Sequence, residues 1–121
     1  MLIKDFYRVV SIQNEETGYQ AVIELNKEHA VFDGHFPDNP VMPGVCMIQI
    51  IKELVESTTR KILFMQQVSN VKFMALINPQ VEQTLVVNFS IEEQEDLLKV
   101  KSSIQFQDVI ALKMSSVYTQ K

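Results

Sequence analysis

The pattern of apolar and polar positions divides the chain into one helical stretch set among strands. Val45, Ile48, Ile51 and Val55 recur at steps of three and four, and Ile50 and Leu54 widen that face. Gln49, Lys52, Glu53 and Glu56 make the polar remainder, so the period predicts one largely buried helix over about 44–58. Ser57, Thr58 and Thr59 weaken it, and Arg60 and Lys61 suit its C-terminal end. Upstream, Phe6 to Ile12 is apolar, Asn14 to Gly18 reads as a polar turn, and Tyr19 to Leu25 alternates like a strand. The two stretches are expected to form a hairpin. Ala30 to Phe32 reads as a short helical turn ahead of a tight turn at Asp33-Gly34.

The second half reads almost wholly as strand. Ile62 to Leu76 is rich in β-branched and aromatic residues, with a bend near Ser69-Asn70, and Asn78-Pro79 marks a turn. Leu85, Val87, Phe89 and Ile91 alternate with polar or smaller residues. Glu92 to Asp96 reads as an acidic, solvated hairpin end. Leu98, Val100, Ser102, Ile104 and Phe106 then describe a strand with one wet face, and Gln107-Asp108 turns the chain into a last strand from Val109 to Tyr118. One helix and five or six strands predict an α+β domain in which an antiparallel sheet curls around the helix, since both elements need apolar cover.

Composition narrows this picture. At 121 residues with 46% apolar content, the expectation is a single domain over residues 1–121 with a real core. A formal charge of −4 leaves no general footprint for nucleic acid. The start, MLIKDFYRVV, lacks the apolar core of a signal peptide, and no run approaches the ~18 apolar residues of a membrane span, so a cytoplasmic protein with no membrane partner is expected. The lone cysteine, Cys46, excludes an intrachain disulfide and reads as a small buried hydrophobe. His29 sits in a polar connection and reads as a surface residue. No zinc site is expected from two isolated histidines, and three scattered glycines form no phosphate loop or dinucleotide fingerprint.

The segment before the helix is the most informative. His35-Phe-Pro-Asp-Asn-Pro-Val-Met-Pro-Gly44-Val joins a histidine to the helix through a stiff turn. Pro43 suits an early helical or pre-helical position, and Gly44 permits a close approach or an unusual dihedral. Free N–H groups at such a helix start can hold a ligand oxygen. On local sequence alone, a structural or surface role for His35 stays open.

This segment resembles the signature of the 3-hydroxyacyl-acyl-carrier-protein dehydratases of fatty acid synthesis, which are hot-dog-fold lyases. A weaker likeness extends along the chain through Val71-Lys72-Phe73 and Pro79. The resemblance implies a long central helix wrapped by an antiparallel sheet, and a homodimer or higher oligomer with sites shared across the interface. Carried over, His35 is the base that takes the C2 proton of a 3-hydroxyacyl thioester and passes it toward the departing hydroxyl. The Gly44 N–H binds the thioester carbonyl. Phe36, Pro43 and Val45 line the acyl site, while Arg60, Lys61 and Lys72 offer a local positive surface to an acidic acyl carrier protein. No cofactor is implied beyond the phosphopantetheine arm that carries the substrate, and no metal.

One departure stands out. Gln49, fourteen residues after His35, occupies the place of the family's catalytic carboxylate. An amide hydrogen-bonds but does not exchange a proton near neutral pH. Glu53 lies one helical turn further on, roughly 6 Å along the axis, and is not freely interchangeable with it. Three functions therefore remain in view: a dehydratase or related acyl-thioester enzyme, a noncatalytic carrier-binding or partner subunit of an active homologue, and, third, a hot-dog thioesterase.

Overall fold

The computed structural model describes residues 5–29 and 41–120. The elements follow in the order β1 (Tyr7–Glu15), β2 (Gly18–Leu25), α1 (Gly44–Thr59), β3 (Leu63–Phe73), β4 (Thr84–Gln94), β5 (Leu97–Phe106) and β6 (Val109–Gln120). Six antiparallel strands form one sheet in the order β1-β2-β4-β5-β6-β3, wrapped around α1. This is the α+β arrangement expected from the patterning, and it is the hot-dog fold that the family resemblance implied. The predicted turn at Ala30 to Phe32 and Asp33-Gly34 falls outside the described residues.

Strand periodicity explains the core. Ala21, Ile23 and Leu25 on β2, Leu85, Val87 and Phe89 on β4, and Leu98, Val100 and Ile104 on β5 alternate onto one face and are buried there. From β6 the same face receives Leu112, Met114 and Tyr118. Two serines share this dry face and both are satisfied: Ser102 Oγ donates to the Met114 carbonyl at 3.4 Å, and Ser116 Oγ donates to the Tyr118 hydroxyl at 3.1 Å. The helix contributes Cys46, Met47, Ile50, Ile51, Leu54 and Val55.

The structure moves several boundaries. The buried helical face is rotated from the expected one: Met47 and Cys46 join it, whereas Val45 is 75% exposed. A step of 100° per residue places Val45 beside Ile48, Gln49 and Lys52 on a second face, turned toward β3. The β1–β2 turn shrinks to Glu16-Thr17 because Asn14 and Glu15 pair with Tyr19 and Gly18. Likewise Glu92, Glu93 and Gln94 continue β4 by pairing with β5, so the acidic turn reduces to Glu95-Asp96. Position 29 is half-buried, not a plain surface site: the His29 ring meets Phe6 edge-on at 5.4 Å. The bend near Ser69-Asn70 is present, with Asn70 at φ 53° and a register shift against β6 between Ser69 and Lys72.

The helix ends where local chemistry stops it. Arg60 takes a left-handed conformation, φ 57° and ψ 38°, and its N–H bonds the Glu56 carbonyl at 2.8 Å. The Glu56 side chain then accepts from the Leu63 N–H at 2.8 Å, tying the last turn of α1 to the start of β3.

Gly18 is the tightest backbone approach in the hairpin. A Cβ built there, at φ +155°, would lie 2.5 Å from the Phe89 carbonyl oxygen of neighbouring β4. Gly18→Ala should therefore destabilise the fold by about 1–3 kcal/mol, the usual scale of imposed backbone strain, read as a lower urea midpoint with an unchanged slope.

Candidate functional site

The approach to α1 is anchored on one side. Met42 is buried and its N–H donates to the Ile77 carbonyl at 2.8 Å. Pro43 follows as the residue before the helix, extended at φ −63° and ψ 142°, with no side-chain cap. Its carbonyl accepts from the Cys46 and Met47 N–H groups at 3.0 and 3.3 Å. The Gly44 and Val45 N–H groups have no acceptor among the described residues. Gly44 serves close approach rather than an unusual dihedral: a Cβ there would sit 2.8 Å from the ring of Phe73 at the end of β3.

Between the second face of α1 and β3 lies a cavity of about 280 Å³. Val45, Ile48, Gln49 and Lys52 line it from the helix, and Leu63, Phe64 and Met65 from the strand. A larger concavity of about 560 Å³ crosses the sheet and includes Lys72, Lys101 and Lys113, but no helix residue, Gln49 included, lines it. The smaller cavity is the one that brings predicted site residues together. It joins Val45 and Gln49; His35 and Phe36 lie outside the described residues.

Gln49 is held. Its Nε2 donates to Glu53 Oε2 at 2.8 Å, and the Tyr7 hydroxyl donates to Glu53 Oε1 at 2.9 Å. One carboxylate thus accepts from the start of β1 and from the preceding turn of α1. Burial first, and the adjacent Glu53 second, push the Tyr7 phenol well above its ordinary range. Lys52, with a side chain only 14% exposed, has its Nζ 3.9 Å from Glu56. Burial also raises the Cys46 thiol, which disfavours the thiolate a nucleophile needs and agrees with a core role. No metal-binding cluster of His, Cys, Asp and Glu occurs among the described residues.

The three cationic residues expected to meet a carrier are not gathered. Arg60 and Lys61 flank the start of β3, where Lys61 Nζ lies 3.5 Å from Glu93. Lys72 stands at the far end of that strand, opposite Lys113. Tyr7 and Glu53 enter the site without having been singled out as a linked pair. The i, i+4 spacing of Gln49 and Glu53 signals their contact on a helix, but nothing local connects Tyr7 to a residue 46 positions away.

Fold and site together define a hot-dog protein with a helix-start donor pair and a cavity beside the central helix. The chain belongs to the ApeI-like family, described as ApeI dehydratase, which it matches over residues 11–113. It is 32% identical over 89 residues to 3-hydroxyacyl-[acyl-carrier-protein] dehydratase FabZ of Rickettsia typhi, a match covering 66% of this chain and 60% of that protein. The Rickettsia felis enzyme of the same name is 30% identical over the same span. The match thus reaches about three fifths of the length of these curated relatives. Among solved structures, the dehydratase heterocomplex ApeI:P from Xenorhabdus doucetiae aligns with a TM-score of 0.74 at 19% identity, covering 93% of this chain and 97% of that one. The protein smu.793 from Streptococcus mutans, bound to acetyl CoA, aligns at 0.69 with 8% identity, covering 100% and 93%. At these identities the two structures attest the fold. No helix among the described residues is long and apolar enough to cross a membrane.

The Tyr7–Glu53 contact has a pH signature. Because folding raises the Tyr7 pKa, its stabilisation is complete below pH about 10, the ordinary tyrosine value, and is lost as pH rises past it toward the folded value. Tyr118, also raised by burial, contributes the same drift to wild type and variant alike. Urea midpoints measured upward from pH 9 should therefore fall more steeply for wild type than for Tyr7→Phe.

Proposed function

We propose that this chain is an acyl-carrier-thioester-binding subunit of a dehydratase assembly, with little dehydration activity of its own. The observation that carries this reading is Gln49: a group that cannot exchange protons lines the cavity, and the neighbouring carboxylate, Glu53, already accepts from two donors. Dehydration of a 3-hydroxyacyl thioester needs a base for the C2 proton and an acid for the departing hydroxyl. His35 supplies the first, and the Gly44 N–H stabilises the thioester oxygen as charge develops on it. For the second role, no carboxyl group lines the cavity among the described residues.

Assembly with another hot-dog chain is supported by the edge of the sheet. Strand order makes β3 an edge, and Phe64 and Phe73 upon it are 56% and 54% exposed. An exposed apolar edge pairs readily with another strand. Val45 and the cavity lie along the same border, so a partner there would close the site and could bring a carboxylate to it. The similar ApeI:P structure is a dehydratase heterocomplex, which supports a partner that is a second, different chain, with a homodimer as the simpler case. The substrate arrives on the phosphopantetheine arm of a cytoplasmic acyl carrier protein.

A second reading, dehydration by the chain itself, draws support from the family's description and from the intact His35-Phe-Pro motif. Turnover separates the two. The isolated chain should bind carrier-linked 3-hydroxyacyl thioesters and convert them slowly, and Gln49→Glu should raise conversion at least about tenfold, within the range of one general acid–base group. Fast turnover by the isolated chain, abolished by His35→Ala and untouched by Gln49→Ala, would establish the second reading instead.

The edge is testable separately. Phe64→Glu should shift the solution mass toward the monomer across micromolar concentrations, by sedimentation, while far-ultraviolet circular dichroism stays unchanged.

A further inference from the structure

A carboxylate can only accept hydrogen bonds, so it dictates which end of a neighbouring amide faces it. At Glu53 that end is the Gln49 nitrogen, 2.8 Å from Oε2. Were Glu53 free to rotate, the constraint would be weak. It is not free: its other oxygen receives the Tyr7 hydroxyl at 2.9 Å, from a different element of the fold. With Nε2 committed, Gln49 has its carbonyl oxygen to offer, and that oxygen has no donor among the described residues. Gln49 borders the cavity beside β3, whereas neither Tyr7 nor Glu53 does.

We infer that Glu53, braced by Tyr7, is a positioning residue that locks the Gln49 amide with its carbonyl oxygen toward the cavity, so that the site favours a hydroxyl-bearing acyl chain over its dehydrated counterpart. The inference rests on the acyl-thioester reading of the site and adds a ligand preference to it. A 3-hydroxyacyl thioester brings an O–H that the carbonyl accepts, and a 2-enoyl thioester brings no donor at that carbon. An unlocked glutamine could turn either end toward the ligand and would distinguish the two poorly. The same amide gives no proton, so the preference retains the substrate without consuming it.

Binding of 3-hydroxyacyl- and 2-enoyl-pantetheine thioesters of equal chain length to the full chain tests this by calorimetry. Wild type should favour the hydroxyacyl ligand about three- to tenfold, the ratio one net hydrogen bond provides. Glu53→Gln, which replaces the obligate acceptor by a group that can donate or accept, should bring that ratio close to one while leaving the enoyl affinity in place. A ligand-free measurement guards against a variant that fails to fold. In wild type, one Gln49 side-chain amide proton should resonate downfield of the other glutamines', and Tyr7→Phe should move it. Equal binding of the two thioesters by wild type, retention of the preference in Glu53→Gln, or an ordinary Gln49 resonance would overturn the positioning role and leave the thioester reading standing. Binding of neither thioester would remove both.

Discussion

The structure depends on burying one face of a single helix inside one curved sheet. Met47, Ile50, Ile51, Leu54 and Val55 meet the inward row of β2, β4, β5 and β6. Each such side chain contributes about 1.5–3 kcal/mol when fully removed from water, and no second helix among the described residues shares the task. That demand fixes the helix's rotation about its axis. Once the most apolar arc faces inward, Val45, Ile48, Gln49 and Lys52 are left facing the border with β3, and the cavity is a consequence of that rotation.

The polar side of the helix is then employed at half-buried positions. Glu53 gathers Tyr7 and Gln49, and Glu56 receives the backbone of Leu63 with Lys52 alongside. Half-buried carboxylates are tolerated because donors are supplied to them; removing a donor leaves a charge poorly solvated, at a cost larger than the net worth of the contact itself. Both carboxylates therefore serve the architecture, one tying β1 to the helix and the other tying the helix to β3. The two carboxylates on this side of the helix are bound into the frame, and the polar helix residues that border the cavity are Gln49 and Lys52. Membership of a family described as dehydratases and a cavity with no carboxyl group among its described lining residues agree with the proposal that the acid comes from another chain.

Much of this was legible in the residues. Period-two alternation placed the inward rows correctly because a strand's side chains must point to opposite faces, and the 3.6-residue period located α1 to within a residue at its end. The stiff Pro43-Gly44 step announced the helix start, and His35 through Val45 carried the family resemblance. Less legible was how far the strands run into their turns. Glu92 and Glu93 look like solvent-exposed turn residues in isolation, yet backbone pairing with Leu98 and Lys99 decides their conformation, and the ladder is blind to side-chain polarity at a wet edge.

The sequence by itself determined one helix and an antiparallel sheet, because those follow from local period, while the place of Gln49 at a position where related dehydratases carry a carboxylate is what the family resemblance implies. Only the tertiary structure decided that Val45 faces the cavity rather than the core, that Arg60 and Lys61 stand at the opposite end of β3 from Lys72, and that Tyr7 reaches Glu53 across 46 positions of chain. Such pairings arise when the sheet closes around the helix and sets distant residues within about 3 Å. Nothing in the neighbours of either residue along the chain encodes that distance.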